Sequence, residues 1–157
     1  MRKAWRIVRP YHVEDAFSGE GARRYGGRWN SVGTPMVYVA ESKALAALEL
    51  LVHLDQGNVL DEYLCVPIRF PEFLLKVLTV HGLPADWRGH PPPRSIQQLG
   101  DQWVEAQASV VLEVPSVLIP GERNYLLNPD HLDFETIEIG APEPFEFDSR
   151  VLKSHGS

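Results

Sequence analysis

Apolar, β-rich runs in this chain are short and separated by turn-forming residues, so one long helical or strand-rich repeat is excluded. They lie at Trp5 to Val8, Met36 to Ala40, Tyr63 to Phe70, Leu74 to Val80, Ser109 to Val114 and Ser116 to Ile119, with two more in DFETIEI and PFEFD. In Tyr63 to Phe70, Leu64, Val66, Ile68 and Phe70 alternate as a strand requires, while Pro67 lacks a ladder donor and predicts an edge position or a bulge. Only two stretches read as helices. KALAALELLVHL follows Ser42, a suitable N-cap, and SIQQLGDQWVEAQA opens on Ser95, a second candidate cap, with Ile96, Leu99 and Trp103 on one face. NYLLNP, residues 124–129, reads as a polar turn. Many short strands without βαβαβ alternation predict an α+β fold with a mixed or antiparallel sheet, built as one domain over residues 1–157.

The formal charge of −6 offers no broad footprint for a phosphate backbone, so direct nucleic-acid binding is not expected. Residues 1–9 and 22–30 nevertheless hold Arg2, Lys3, Arg6, Arg9, Arg23, Arg24 and Arg28, a local excess suited to a small anion. Cys65 is the single cysteine, the start lacks a secretory apolar core, and no apolar run reaches the roughly 18 residues of a membrane span. A cytoplasmic protein without membrane contact is the expectation. Histidines at 12, 53, 81, 90, 131 and 155 show no zinc-ligand spacing, so no metal is expected, and phosphate-loop, dinucleotide-binding and GxSxG motifs are absent.

Chemistry is carried by a few residues. The polar segment HVEDAFSGEGARRYGGRWNSVGTP reads as a long glycine-rich loop, and loops of that length in compact domains usually serve function. Within it Arg28, flanked by Gly26 and Gly27, offers a planar fork for phosphate or carboxylate, whereas Arg23 and Arg24 sit in ordinary polar context. Glu49 lies in an almost wholly apolar helix, on the side of Leu45, Leu48 and Val52, where an ionised carboxylate is costly without a partner or a task. A helix rotated to expose Glu49 is the competing reading. Tyr38, alternating with Val37 and Val39, either completes a core layer or presents a ring to a flat ligand. Ser116, after Pro115, bonds either a ligand or the neighbouring backbone.

Taken together, AFSGEGARRYGGRWNSVGTPMVYVAESKALAALELLVHL, LPADW, LGDQWVEAQASVVLEVPSVLIPGERNYLLNP and HLDFETIEIGAPEPFEFDSRVL resemble the RES-domain family over nearly the whole chain. The arginine, glutamate and serine that name the family match Arg28, Glu49 and Ser116. The resemblance implies a fold like that of ADP-ribosyltransferase toxins and the toxin of a type II toxin–antitoxin pair. Its partner would be an antitoxin with a helix-turn-helix DNA-binding region.

It further implies that NAD is the substrate, cleaved at the nicotinamide–ribose bond by hydrolysis or phosphorolysis, with inorganic phosphate as a co-substrate in the latter case. Transfer of ADP-ribose to a protein is the alternative, and a non-catalytic nucleotide-binding module is the rival from another class. By analogy Glu49 stabilises the ribose cation, Arg28 orients pyrophosphate or ribose, Tyr38 packs on nicotinamide and Ser116 bonds ribose or phosphate. Asn30 and Asn124 are further candidates for contacting NAD.

Overall fold

A computed structural model of the chain describes residues 1–153; His155, the last of the histidines considered for zinc spacing, lies outside the described residues. The strands are β1 (Arg2–Val8), β2 (Val37–Ala40), β3 (Tyr63–Phe70), β4 (Leu75–Val77), β5 (Val111–Pro115), β6 (Arg123–Leu127), β7 (Glu138–Ile139) and β8 (Glu143–Phe145). The α-helices are α1 (Glu20–Tyr25), α2 (Lys43–Leu51) and α3 (Arg94–Ala106). The strands form one sheet in the order β4-β5-β6-β2-β1-β3-β7, with β8 also on β3. The β4–β5 pair is parallel and the other pairs are antiparallel, which makes the sheet mixed and the fold α+β.

Local signals set much of this. The Ser42 hydroxyl accepts from the Leu45 amide at 3.0 Å and caps α2, a contact worth about 1 kcal/mol. Strand β3 begins and ends where its alternation does, but it is not an edge strand. It pairs with β1 along its length and with β7 and β8 on its other side. Pro67 is tolerated because its carbonyl faces that outer side, accepting from Gly140 at 2.8 Å, so its missing N–H falls between the ends of β7 and β8.

Several sequence expectations are corrected. The presumed loop contains α1, with Arg23 and Arg24 paired to Glu20 on its exposed side. NYLLNP is not a turn: Tyr125, Leu126 and Leu127 are buried in β6, the strand between β2 and β5. Ser116 to Ile119 is a loop rather than a strand. Ser95 does not cap α3, which starts one residue after Pro93 with no side-chain cap. Around α2 the buried face is Leu45 and Ala46, whereas Leu48 and Val52 reach solvent, so the apolar face is rotated from the one expected.

The sheet has two unlike faces. Val37, Val39, Tyr125, Leu127 and Val111 pack with Phe70, Ile68 and Leu74 on one. On the other, register places Tyr38, Leu126 and Leu112 in one row and Ala40, Asn124 and Val114 in the next. α3 covers part of this second face through Ile96, Trp103 and Val104, with Trp29 and Met36, while Leu45 and Ala46 of α2 pack with Ala40. The candidate residues converge on this face. Among the described residues no helix is long and apolar enough to cross a membrane.

Candidate active site

Arg28 is aimed by a tight turn held from both sides. The Gly27 amide donates to the Asn30 carbonyl at 3.0 Å, and a β-carbon on Gly27 would lie 2.6 Å from the Tyr38 hydroxyl, so glycine is required for this approach. That hydroxyl accepts from the Trp29 amide at 3.0 Å and donates to Asn30 Oδ1 at 2.6 Å. From α3, Gln97 Nε2 donates to the Gly27 carbonyl at 3.0 Å and Asp101 Oδ1 accepts from the Ser31 amide at 2.9 Å. Arg28 Nη1 then donates to the carbonyls of Trp87 and Gly89, at 3.0 and 2.9 Å. Its Nε and Nη2 make no hydrogen bond among the described residues, leaving the side of the guanidinium that binds an anion in bidentate fashion.

Glu49, half-buried on α2, lies near enough to Arg28 for each charge to act on the other. Burial pushes its carboxyl above the ordinary range, while the Asn124 side chain and the Arg28 charge hold it down. Reciprocally, burial lowers the Arg28 pKa and the Glu49 carboxylate raises it. The two charges are therefore coupled, without an ion pair inside 4 Å to neutralise them. Burial also raises the Tyr38 phenol, which stays neutral.

The six candidates do not share one condition. Asn124 is half-exposed on β6, between Ala40 and Val114, and its amide reaches the Val39 carbonyl only at 3.5 Å. Ser116 is buried, its Oγ accepting from the Ile119 amide at 3.1 Å in the loop after β5. Asn30 is wholly buried, and its amide donates to the carbonyls of Ala22 and Thr34 at 2.8 and 3.0 Å. Its observed task is to fold the loop; contact with a ligand would require that loop to open. Tyr38 likewise commits its hydroxyl to the turn and offers a ligand only its ring.

Sequence reasoning missed the supports: the carbonyls of Trp87 and Gly89, the side chains of Gln97 and Asp101, and Gly100, over which the Trp29 carbonyl lies. Gly100 alone left a trace, a glycine inside a helix-forming run. The basic excess of residues 1–9 and 22–30 does not form one patch either. Arg2 pairs with Glu72 and Glu113, Arg9 with Asp61, and Arg23 and Arg24 with Glu20. A concavity of about 700 Å³ lined by Leu51, Leu54, Gln56, Val59 and Val151 shares none of the candidate residues.

Chemically, the site offers a directed cation, a partly desolvated carboxylate that feels its charge, and the Tyr38 ring and Asn124 amide on the same face of the sheet. Such a set can orient an anionic substrate at one end and stabilise positive charge developing at the other.

Comparison with known proteins bears on the family and the fold. The model of the RES domain matches residues 3–148. A protein named Toxin Res from Photorhabdus laumondii is 40% identical over 151 residues, covering 96% of this chain and 97% of its own. One named Prs ADP-ribosylating toxin, from a Sphingobium species, is 41% identical over 156 residues, covering 95% and 96%. In fold, the chain is similar to the crystal structure of the M. tuberculosis MbcT–MbcA toxin–antitoxin complex, with a TM-score of 0.70 and 22% identity over 92% of this chain and 84% of that one. With the family model spanning almost all of the described residues, the chain belongs to the RES-domain family.

Proposed function

We propose that this protein is the toxin of a toxin–antitoxin pair and an enzyme that breaks the nicotinamide–ribose bond of NAD, depleting NAD in the cytoplasm and arresting growth. The observation that carries this reading is that Arg28, whose Nε and Nη2 have no partner among the described residues, and the half-buried Glu49 each feel the other's charge. Nicotinamide leaves with the bonding electron pair, and positive charge spreads over ribose C1 and the ring oxygen. Glu49 stabilises that cation, as carboxylates do in glycoside cleavage. Arg28 holds the pyrophosphate or ribose, the Tyr38 ring packs on nicotinamide, and Asn124 and Ser116 bond the ribose or a phosphate. No metal takes part.

Water attacking C1 and losing a proton yields ADP-ribose; inorganic phosphate attacking instead yields the 1-phosphate of ADP-ribose. A second reading, transfer of ADP-ribose to a protein side chain, is favoured by the Sphingobium relative and its name. Pure protein incubated with NAD, with and without phosphate, and with a cell extract containing labelled NAD, separates these outcomes. Free nicotinamide with ADP-ribose or its phosphate supports NAD degradation. Label retained on an extract protein supports transfer, and binding without nicotinamide release defeats both.

A further inference from the structure

β1 and β2 pair at one position only, Trp5 opposite Ala40. Yet β1 pairs with β3 along its whole length, and β2 with β6 along its whole length. The two central strands therefore splay beyond that contact, and carbonyls facing the gap lose their usual ladder partners. Arg6 fills the gap, with Nη1 donating to the Tyr38 carbonyl at 2.9 Å. Because Trp5 and Ala40 share the face carrying the Tyr38 ring, Arg6 points from the opposite one, beside Ala4 and Val8 in the sequence alternation.

This is a costly way to fill space. Arg6 Nε is sealed from solvent with no partner among the described residues, and burial lowers the Arg6 pKa against the opposing charge of Asp15. An apolar side chain of similar length would fill the gap without that cost, so packing alone does not account for arginine here. What arginine adds is a charged donor on one atom, the Tyr38 carbonyl. At the other end of the residue, the Tyr38 hydroxyl accepts from the Trp29 amide and donates to Asn30 Oδ1, holding the turn that presents Arg28.

We propose that Arg6 is a positioning residue for the candidate active site, fixing Tyr38 from behind the sheet and, through its ring and hydroxyl, the 27–30 turn that aims Arg28. For its effect on catalysis the inference rests on the NAD-cleaving reading above; its structural link does not. The charged donor holds β2 where the splayed β1 leaves it unsupported, and a small shift of a substrate-orienting group costs up to about a hundredfold in rate.

The test compares full-length Arg6→Met and Arg6→Lys with the parent protein by hydrogen exchange, thermal melting and NAD kinetics. In Arg6→Met, the Trp29 amide is expected to exchange at least about tenfold faster relative to Leu112 in β5, which reports only global opening. Its kcat/KM is expected to fall roughly ten- to a hundredfold, with Arg6→Lys, which keeps one charged donor, recovering most of both losses. Equal acceleration at Trp29 and Leu112, or an unchanged kcat/KM beside a lowered melting temperature, would reduce Arg6 to a structural residue and overturn the proposal. Where Arg6→Met does not fold, Arg6→Gln, a neutral donor of shorter reach, is read by the same criteria. Should the parent protein release no nicotinamide, the enzymatic reading falls while the exchange comparison still decides whether Arg6 holds the turn.

Discussion

The Trp29 carbonyl occupies the place where a side chain on Gly100 would begin: a β-carbon there would lie 1.6 Å from that oxygen. Glycine inside α3 sacrifices roughly 1 kcal/mol of helix propensity relative to alanine, and in return the helix presses directly on the turn bearing Arg28. Gly100→Ala is therefore expected to destabilise the fold by about 3 kcal/mol or more and to abolish NAD turnover. Gly21→Ala is the control. Nothing lies within 4 Å of its β-carbon, and in α1 it should be neutral or slightly stabilising by denaturant melting.

Glu49→Gln keeps the shape and removes the charge. Nicotinamide release is expected to fall on the order of a hundredfold or more. Stability moves the other way: because the folded pKa is raised, ionising Glu49 costs stability as pH rises from the ordinary carboxylate range through that folded value. The variant should therefore melt higher than the parent near neutral pH, and the difference should vanish below the ordinary carboxylate range. A variant less stable than the parent at neutral pH would show that Glu49 is held mainly by its partners.

The coupling between Arg28 and Glu49 predicts a shift in pH dependence. The Arg28 charge holds the Glu49 carboxyl down, so Arg28→Met should move the acid limb of kcat/KM to higher pH. Arg28→Lys keeps the charge but not the planar fork, and should weaken NAD binding or turnover with a smaller displacement of that limb. Arg23→Lys, an exposed partner of Glu20, should leave the profile at the parent position.

Inhibition by a cognate antitoxin should work by covering the site around Arg28 rather than by unfolding the toxin, since a segment held there excludes an anionic substrate directly. In the purified complex, NAD turnover should be suppressed and residues 19–33 protected from proteolysis. Full activity in the complex, or equal cleavage of that segment bound and free, would rule out occlusion.

Much of the architecture was legible where signals are local. The Ser42 cap, the bounds of strand Tyr63–Phe70 and the apolar face of α3 each depend on residues a few positions apart, and each appears as expected, although Tyr63 and Cys65 are buried as well as Val66, Ile68 and Phe70. NYLLNP misled because its asparagines and proline resemble turn chemistry, whereas the three residues between are buried by strands β2 and β5, distant in sequence. The rotation of α2 was hidden for a similar reason. With leucines around most of its circumference, the packing against Ile7, Ala40, Tyr63 and Cys65 selects which of them are covered.

By itself the sequence determined the residue types of the candidate site, an α+β fold and the family resemblance, since motif and periodicity are properties of neighbouring residues. The tertiary structure alone decided how those residues are used. Asn30 and the Tyr38 hydroxyl, equally available to a ligand on paper, are committed to the loop, while among the described residues Arg28 keeps one side of its fork free and Glu49 is left partly desolvated within reach of its charge. Those outcomes follow from hydrogen bonds and burial supplied by α3, by the 87–89 carbonyls and by strand register. No local pattern encodes a donor's partner when that partner is brought by another part of the sheet.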